Sequence, residues 1–126
     1  MTTVLLIEDN EDNEDNRVSM GILLRSSGFA ILEAENGISG YKKAINDQPD
    51  LVLMDIQLPD IDGTEVLRRL KLNEQTREIP VIAVTSYAMS GDRQRFLAAG
   101  FAGYIEKPID PPQVVSQIKN IMEKHI

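Results

Sequence analysis

The chain has 126 residues, which suits one domain of ordinary size and leaves no room for a second. Apolar residues make up 42% and charged residues 26%, a balance typical of a globular chain and not of a disordered one. The absence of cysteine excludes a disulfide scaffold, a thiolate metal site and a cysteine nucleophile. No apolar run is long enough to cross a bilayer and no basic signal peptide opens the chain, so we expect a cytoplasmic protein without membrane binding.

The formal net charge of −7 comes almost entirely from one segment. Residues 8–15 hold six of the 20 acidic residues and no basic one, so the other 118 positions carry a formal net charge of −1. The tripeptide Glu-Asp-Asn occurs three times in succession at residues 8–16, which we interpret as a local expansion of a loop. The 13 basic residues are scattered, and direct nucleic-acid binding is not expected because it needs clustered Lys and Arg.

Short apolar runs alternate with stretches of helical periodicity along the whole chain. The runs are nearly continuous in apolar residues, which predicts parallel strands covered on both faces. They are Val4–Ile7, Ala30–Leu32, Leu51–Met54, Val81–Val84 and Ala102–Ile105. Each run is followed by a helical pattern, so the sequence predicts an α/β fold of five βα units. These form a three-layer sandwich with right-handed crossovers and one domain over residues 1–126.

Apolar stripes and capping residues delimit the predicted helices. The expected buried faces are Ile38, Tyr41 and Ile45 in the second helix, Val66, Leu67 and Leu70 in the third, and Val114, Val115, Ile118 and Ile121 in the fifth. The expected caps are Gly28 and Gly100 at the ends of the first and fourth helices, and Asp62, Ser90 and Asp110 at the starts of the third, fourth and fifth. The positions of these caps support the alternation of strands and helices.

Polar side chains follow the predicted strands at their carboxyl ends, where open parallel sheets bind ligands. Glu8 and Asp9 follow the first strand, Asp55 the third, Thr85 the fourth and Lys107 the fifth. Clustered carboxylates repel one another, and Mg²⁺ relieves this repulsion while keeping coordination positions for water and phosphate. With a lysine and a hydroxyl nearby, the set predicts phosphoryl transfer to a carboxylate nucleophile, giving an aspartyl phosphate.

Five motifs in order and at the expected intervals resemble the receiver domain of two-component response regulators over essentially the whole chain. They are residues 7–10 (IEDN), 49–55 (PDLVLMD), 58–63 (LPDIDG), 84–85 (VT) and 107–108 (KP). The resemblance implies a flavodoxin-like doubly wound fold with a five-stranded parallel sheet in the order 2-1-3-4-5. It implies a stand-alone phosphoacceptor signalling protein and not an enzyme, with self-phosphorylation from small donors and self-dephosphorylation. The same sequence could also be one domain of a hybrid kinase.

The resemblance also implies which residues form the phosphorylation and metal sites. Asp55 would accept a phosphoryl group from a histidine kinase or a phosphotransfer protein. Glu8, Asp9, Asp55 and the backbone carbonyl of Gln57 would hold Mg²⁺. The interval counted back from the first helix falls instead on Asp12, because the loop contains one extra Glu-Asp-Asn unit. We favour Glu8 and Asp9, since the first apolar run fixes where the strand ends.

Further roles follow from the same resemblance. Thr85 and Lys107 would contact the phosphoryl group, and Tyr104 would change its rotamer as Thr85 moves. The peptide bond between Lys107 and Pro108 would be cis. Gln57 and Tyr87 would border the path of the hydrolytic water, and the bulk of Tyr87 predicts slow dephosphorylation.

Phosphorylation is expected to repack one surface of the domain, formed by the fourth and fifth helices and the last strand. This face, residues 88–122, would bind a downstream protein, and the chain would be a monomer or a weak dimer. The alternative is a binding module with the same fold that no longer switches, should the expanded loop have altered the metal site. Asp60 and Asp62 are interpreted as turn and cap residues and not as ligands.

Rival phosphoryl and nucleotide folds fit the sequence less well. A haloacid-dehalogenase-like phosphohydrolase would need Asp-x-Asp after the first strand, where this chain has Glu8-Asp9-Asn10. A toprim-like nucleic-acid enzyme would need Asp-x-Asp at the third strand, where Asp55-Ile56-Gln57 stands. A flavodoxin would need a hydroxyl-rich phosphate loop in the place of the acidic segment.

Overall fold

Five apolar segments form one parallel sheet in a computed structural model of the chain. The structure describes residues 2–8, 20–85, 92–106 and 111–123, with the backbone alone at 92, 93, 111 and 112. The strands are β1 (Thr3–Ile7), β2 (Ala30–Ala34), β3 (Leu51–Asp55), β4 (Val81–Thr85) and β5 (Gly103–Glu106). Their order is β2-β1-β3-β4-β5, and every neighbouring pair is parallel. The predicted strand order is confirmed, with strand bounds that differ from the apolar runs by one or two residues.

Helices cover both faces of the sheet. The helical residues are 20–26, which we call α1, and α2 (Gly37–Asp47), α3 (Gly63–Leu72), α4 (Asp92–Ala99) and α5 (Pro111–Glu123). Alternate residues of β1 enter separate cores: Leu5 and Ile7 pack with residues of α2, α3 and α4, whereas Val4 and Leu6 pack with residues of α1 and α5. The predicted three-layer sandwich is therefore confirmed. None of the helices that the structure describes is both long and apolar enough to span a membrane.

Several predicted helix ends are present in the structure. Gly28 and Gly100 follow α1 and α4 with φ angles of 96° and 115°, the left-handed conformation that glycine adopts at low cost. Asp62 is the N-cap of α3, and its Oδ1 accepts hydrogen bonds from the backbone N of Thr64 at 2.7 Å and from its hydroxyl at 2.6 Å. The predicted caps Ser90 and Asp110 lie outside the described residues.

Most of the predicted apolar faces are confirmed as parts of the two cores. The fully buried members are Val66, Leu67 and Leu70 of α3 and Val114 and Ile118 of α5. The half-buried members are Tyr41, Ile45, Val115 and Ile121.

The predicted face of α2 is wrong at Ile38, whose side chain is 41% exposed. The buried residues of this helix are instead Gly37, Gly40 and Ala44. A Cβ atom at Gly40 would lie 2.8 Å from Cγ1 of the fully buried Ile7, so α2 approaches the sheet closer than a larger side chain permits. A helix face built from small residues leaves no stripe of large apolar residues in the sequence.

We expect Gly40→Ala to lower the free energy of unfolding by about 1–3 kcal/mol, because the added methyl group overpacks a fully buried contact with Ile7. Ile7→Val removes the outermost methyl group of that contact and costs about 0.5–1.5 kcal/mol by itself. Urea denaturation of both variants and of the double variant measures their coupling. The double variant should lose less stability than the two single losses together, and strict additivity would contradict the close approach.

Candidate functional site

The carboxyl ends of β1 and β3 bring two acidic residues to one edge of the sheet. The two strands pair in register through Ile7 and Met54, so the residues that follow, Glu8 and Asp55, occupy neighbouring positions. Parallel strands run about 4.8 Å apart, which sets the spacing of the two backbones there. The backbone N of Glu8 donates a hydrogen bond of 3.0 Å to the carbonyl of Ala34 at the end of β2. Glu8 is thus held on the sheet although it lies one residue past the end of β1.

On the neighbouring strand, β4, Thr85 adds a hydroxyl to the two carboxylates at this edge of the sheet. Asp55 pairs with Val84, so Thr85 at the end of β4 lies one residue beyond that pair on the same edge. Thr85 pairs with Glu106, the last residue of β5. Glu106 directly precedes Lys107 in the sequence. The sheet therefore brings Glu8, Asp55 and Thr85 together at the carboxyl ends of β1, β3 and β4, which lie side by side.

The side chains of Glu8, Asp55 and Thr85 are all buried, which is unusual for the two acidic residues among them. The exposed fraction is 0% for Glu8, 4% for Asp55 and 2% for Thr85. Removing two neighbouring carboxylates from water is costly unless a positive charge or hydrogen bonds compensate for it. A hard divalent cation with oxygen ligands meets that need, so the donor set fits Mg²⁺.

The loop after β3 is held against the site by a close backbone contact. The backbone N of Gly63, the first residue of α3, donates a hydrogen bond of 2.9 Å to the carbonyl of Ile56. A Cβ atom at this position would lie 2.9 Å from both the carbonyl oxygen of Asp55 and the Cα of Ile56. Gly63 is thus the residue that lets α3 begin directly beside Asp55. At the start of the loop, the backbone N of Gln57 donates to Oδ1 of Asp55 at 3.0 Å.

The same loop is tied to α2 by the carboxylate of Asp60. Its Oδ1 accepts a hydrogen bond from the backbone N of Gly37 at 2.8 Å, and its Oδ2 accepts one from Ile38 at 2.9 Å. Partial burial raises the pKa of the Asp60 carboxyl, but the backbone hydrogen bonds from Ile38 and Gly37 outweigh it and hold this pKa below its usual value. The carboxylate therefore contributes stability above the usual pKa of aspartic acid, and this contribution is lost as the pH falls through the lowered value.

An aromatic cluster lies between α4 and β5, next to the strand that ends in Thr85. The ring of Phe96 stacks on that of Tyr104 with 5.7 Å between centroids, and Phe101 packs edge-on against Phe96 at 5.7 Å. Tyr104 pairs with Ala83, two residues before Thr85, so Tyr104 and Thr85 extend from the same face of the sheet. Tyr104 is half-buried. The resemblance to receiver domains predicted a role for Tyr104, whereas no sequence pattern distinguished Phe96.

Five predicted site residues lie outside the part of the chain that the structure describes: Asp9, Asp12, Tyr87, Lys107 and Pro108. Among the described residues, no group of three or more His, Cys, Asp and Glu side chains is arranged to hold a metal ion. Glu8 and Asp55 are two such side chains, and Asp9, the third predicted carboxylate, is not among the residues described.

Known proteins resemble this chain along nearly its whole length. A polar-differentiation response regulator, DivK, from Brucella anthropi is 43% identical over 112 residues, which cover 89% of this chain and 91% of that protein. DivK from Brucella melitensis is similar to the same extent.

Solved structures show the same architecture. The receiver domain of the sensor histidine kinase PA1611 from Pseudomonas aeruginosa, whose crystal structure has a magnesium ion coordinated in the active site cleft, superposes with a TM-score of 0.86 at 31% identity. That similarity covers 97% of this chain and 98% of the other. A CheY-like receiver domain protein from Methanospirillum hungatei gives a TM-score of 0.83 at 30% identity, covering 99% of this chain and 96% of its own.

The family model of the response regulator receiver domain matches residues 4–119, which include all five strands except the first residue of β1. Membership of this family accounts for the strand order. The chain belongs to the response regulator receiver domain family.

Proposed function

We propose that this chain is a signalling switch that accepts a phosphoryl group on Asp55 from a histidine kinase or a phosphotransfer protein. The observation that carries the proposal is the position of Glu8, Asp55 and Thr85, which are buried side by side at the carboxyl ends of β1, β3 and β4. Membership of the receiver family supports it. A purely structural role explains one buried carboxylate at a strand end more easily than two on neighbouring strands.

In this proposal the carboxylates of Glu8, Asp9 and Asp55 and the backbone carbonyl of Gln57 would hold Mg²⁺. When bound, it would offset part of the negative charge of the carboxylates and of the oxygens of the incoming phosphoryl group. The magnesium ion in the cleft of the similar Pseudomonas receiver domain supports this assignment. The hydrogen bond from the backbone N of Gln57 to Oδ1 of Asp55 orients the acceptor carboxylate before the phosphodonor arrives.

The transfer step needs little beyond position and charge. A carboxylate oxygen of Asp55 attacks phosphorus, the new O–P bond forms, and the bond from phosphorus to the donor breaks, with the electron pair leaving on the donor. When the donor is phosphohistidine, the leaving group is the imidazole, which takes up a proton. Thr85 donates its hydroxyl to a phosphoryl oxygen, and Lys107 offsets the charge of the product.

The switch itself is proposed to run from Thr85 to Tyr104. Movement of Thr85 toward a phosphoryl oxygen changes the space on its face of the sheet, where Tyr104 lies and stacks on Phe96 of α4. A change in the Tyr104 rotamer therefore also changes the contact that holds α4 on β5. Both elements belong to the predicted partner face, residues 88–122. This face contains a cleft of about 330 Å³ lined by Leu97, Tyr104 and residues of α5.

The proposal is tested by mapping the phosphorylated residue after incubation with acetyl phosphate and Mg²⁺. We expect one phosphoryl group, about 80 Da, on the peptide that contains Asp55, and none on Asp55→Asn. Asp62→Asn is the matched control, since asparagine also caps a helix and Asp62 lies in the same loop. Phosphorylation of Asp55→Asn to the extent of the unaltered chain would refute the assignment.

The non-switching alternative differs from this proposal in one measurable respect: it takes up no phosphoryl group. The bulk of Tyr87 still predicts a long-lived phosphoryl group, and Tyr87→Ala is expected to speed its loss. Failure of that variant to shorten the phosphoryl lifetime would count against shielding by Tyr87. The cytoplasmic location and the monomeric or weakly dimeric state stay predictions.

A further inference from the structure

We infer, on the basis of the proposed function, that Asp60 is a positioning residue for the metal site. It clamps the loop of residues 56–62 to the start of α2 and thereby fixes the direction of the Gln57 carbonyl. Asp60 is three residues from Gln57 and is neither a metal ligand nor a phosphoacceptor in the proposed mechanism. Its role is to hold one ligand-bearing loop in place before the metal binds.

The clamp uses both oxygens of the carboxylate. Oδ1 accepts from the backbone N of Gly37 and Oδ2 from that of Ile38, at 2.8 and 2.9 Å. These are two of the backbone N–H groups that the first turn of a helix leaves without an intrahelical partner. Asn36 is the cap residue of α2 and accepts from Ser39 N at 2.9 Å, so Asp60 supplies bonds that the local cap does not. A carboxylate is favoured there by the helix dipole as well.

The loop has anchors at both ends, and Asp60 adds one on a different element. At the beginning, the backbone N of Gln57 bonds to Asp55, and at the end Gly63 bonds to Ile56. The side chains of Gln57, Pro59 and Asp60 are exposed, so packing holds this part of the loop only through the half-buried Leu58 and Ile61. The two hydrogen bonds from Asp60 to α2 therefore restrain the segment that carries the Gln57 carbonyl.

Helix α2, to which Asp60 ties the loop, also packs against the end of β1. Gly40 of α2 lies in close contact with Ile7, the residue directly before Glu8. Ile61, next to Asp60, lies so close to Gly37 that a Cβ atom on the glycine would be 2.7 Å from its Cγ1. Helix α2 thus contacts both the end of β1, which is followed by Glu8, and the loop that carries Gln57. Preorganisation of this kind lowers the cost of binding a metal.

The test measures Mg²⁺ affinity and phosphorylation separately in Asp60→Ala and in Asn36→Ala. Both variants weaken the same helix end, but only Asp60→Ala releases the loop. Mg²⁺ is titrated while the backbone amide signals are followed by NMR, and hydrogen exchange of the Gly37 and Ile38 amides reports the clamp without metal. Initial rates of phosphorylation by acetyl phosphate are then measured across a range of Mg²⁺ concentrations. Asp60→Asn, which keeps one acceptor oxygen, should give an intermediate result.

We expect Asp60→Ala to raise the dissociation constant for Mg²⁺ about 10-fold. Exchange at the Gly37 and Ile38 amides should become faster, and the phosphorylation rate at saturating Mg²⁺ should stay close to that of the unaltered chain. Asn36→Ala should leave the Mg²⁺ affinity unchanged.

Two results would overturn the positioning role alone: an unchanged Mg²⁺ affinity in Asp60→Ala, or an equal loss in Asn36→Ala. In both cases normal phosphorylation of the unaltered chain would leave the proposed function standing. If the unaltered chain neither binds Mg²⁺ nor takes up a phosphoryl group, the proposed function and the role of Asp60 are both wrong.

Discussion

Replacing Glu8 with glutamine is expected to remove most of the stabilisation that Mg²⁺ gives to the fold. Glu8 is fully buried beside Asp55, so its charge acts on a cation with little screening by water. At a Mg²⁺ concentration 100 times the dissociation constant, the unaltered chain should gain about 2.7 kcal/mol. A loss of affinity of about 100-fold reduces that gain to about 0.4 kcal/mol at the same concentration.

Chemical denaturation with and without Mg²⁺ measures this difference directly. Glu74→Gln is the matched control, because the Glu74 side chain is 89% exposed and lies in the segment after α3, away from the carboxyl edge. It should retain the full stabilisation by Mg²⁺. If Glu8→Gln gains as much from Mg²⁺ as the unaltered chain, then Glu8 is not a ligand and Asp12 becomes the better candidate in the expanded loop.

Gly63→Ala is expected to lower the free energy of unfolding by about 1–3 kcal/mol, even though alanine is the better helix former by about 1 kcal/mol. The added Cβ would lie 2.9 Å from the carbonyl oxygen of Asp55 and from the Cα of Ile56, and neither backbone atom can turn away as a side chain would. The start of α3 must therefore shift away from the site. The midpoint of urea denaturation measures the loss, and a slower phosphorylation of Asp55 should accompany it.

Gly21→Ala is the control for this prediction. Gly21 lies in α1, and a Cβ there would have its nearest neighbours at 3.4 and 3.5 Å, both of them the ends of long side chains. This substitution should be neutral or stabilise the fold by up to about 1 kcal/mol. Equal effects of the two substitutions would mean that the contact between Gly63 and Asp55 does not limit the position of α3.

The strands were accessible from the sequence because parallel strands buried on both faces need near-continuous apolar runs, whereas their order was implied by the resemblance to receiver domains. The caps at Gly28, Asp62 and Gly100 were also accessible, since each depends on one residue and its local backbone. The bounds were less exact: β3 and β4 extend through Asp55 and Thr85, because these buried polar residues still take part in the ladder.

What the sequence did not reveal are contacts between residues far apart in the chain. Asp60 was interpreted as a turn residue, and its two hydrogen bonds reach α2, more than 20 positions earlier. The buried face of α2 depends on how closely that helix approaches Ile7, which no property of the helix alone determines. The stacking of Phe96 on Tyr104 likewise joins two elements whose packing follows only from the fold.

The central claim, a magnesium-dependent phosphoacceptor at Asp55, is tested most directly by the intact mass of the unaltered chain. The chain is incubated with acetyl phosphate, with and without Mg²⁺. We expect a gain of one phosphoryl group, about 80 Da, in the presence of Mg²⁺ and none after its removal by a chelator. Uptake that is equal with and without Mg²⁺, or no uptake by the folded chain from acetyl phosphate or a phosphorylated histidine donor, would contradict the claim and favour a binding module that does not switch.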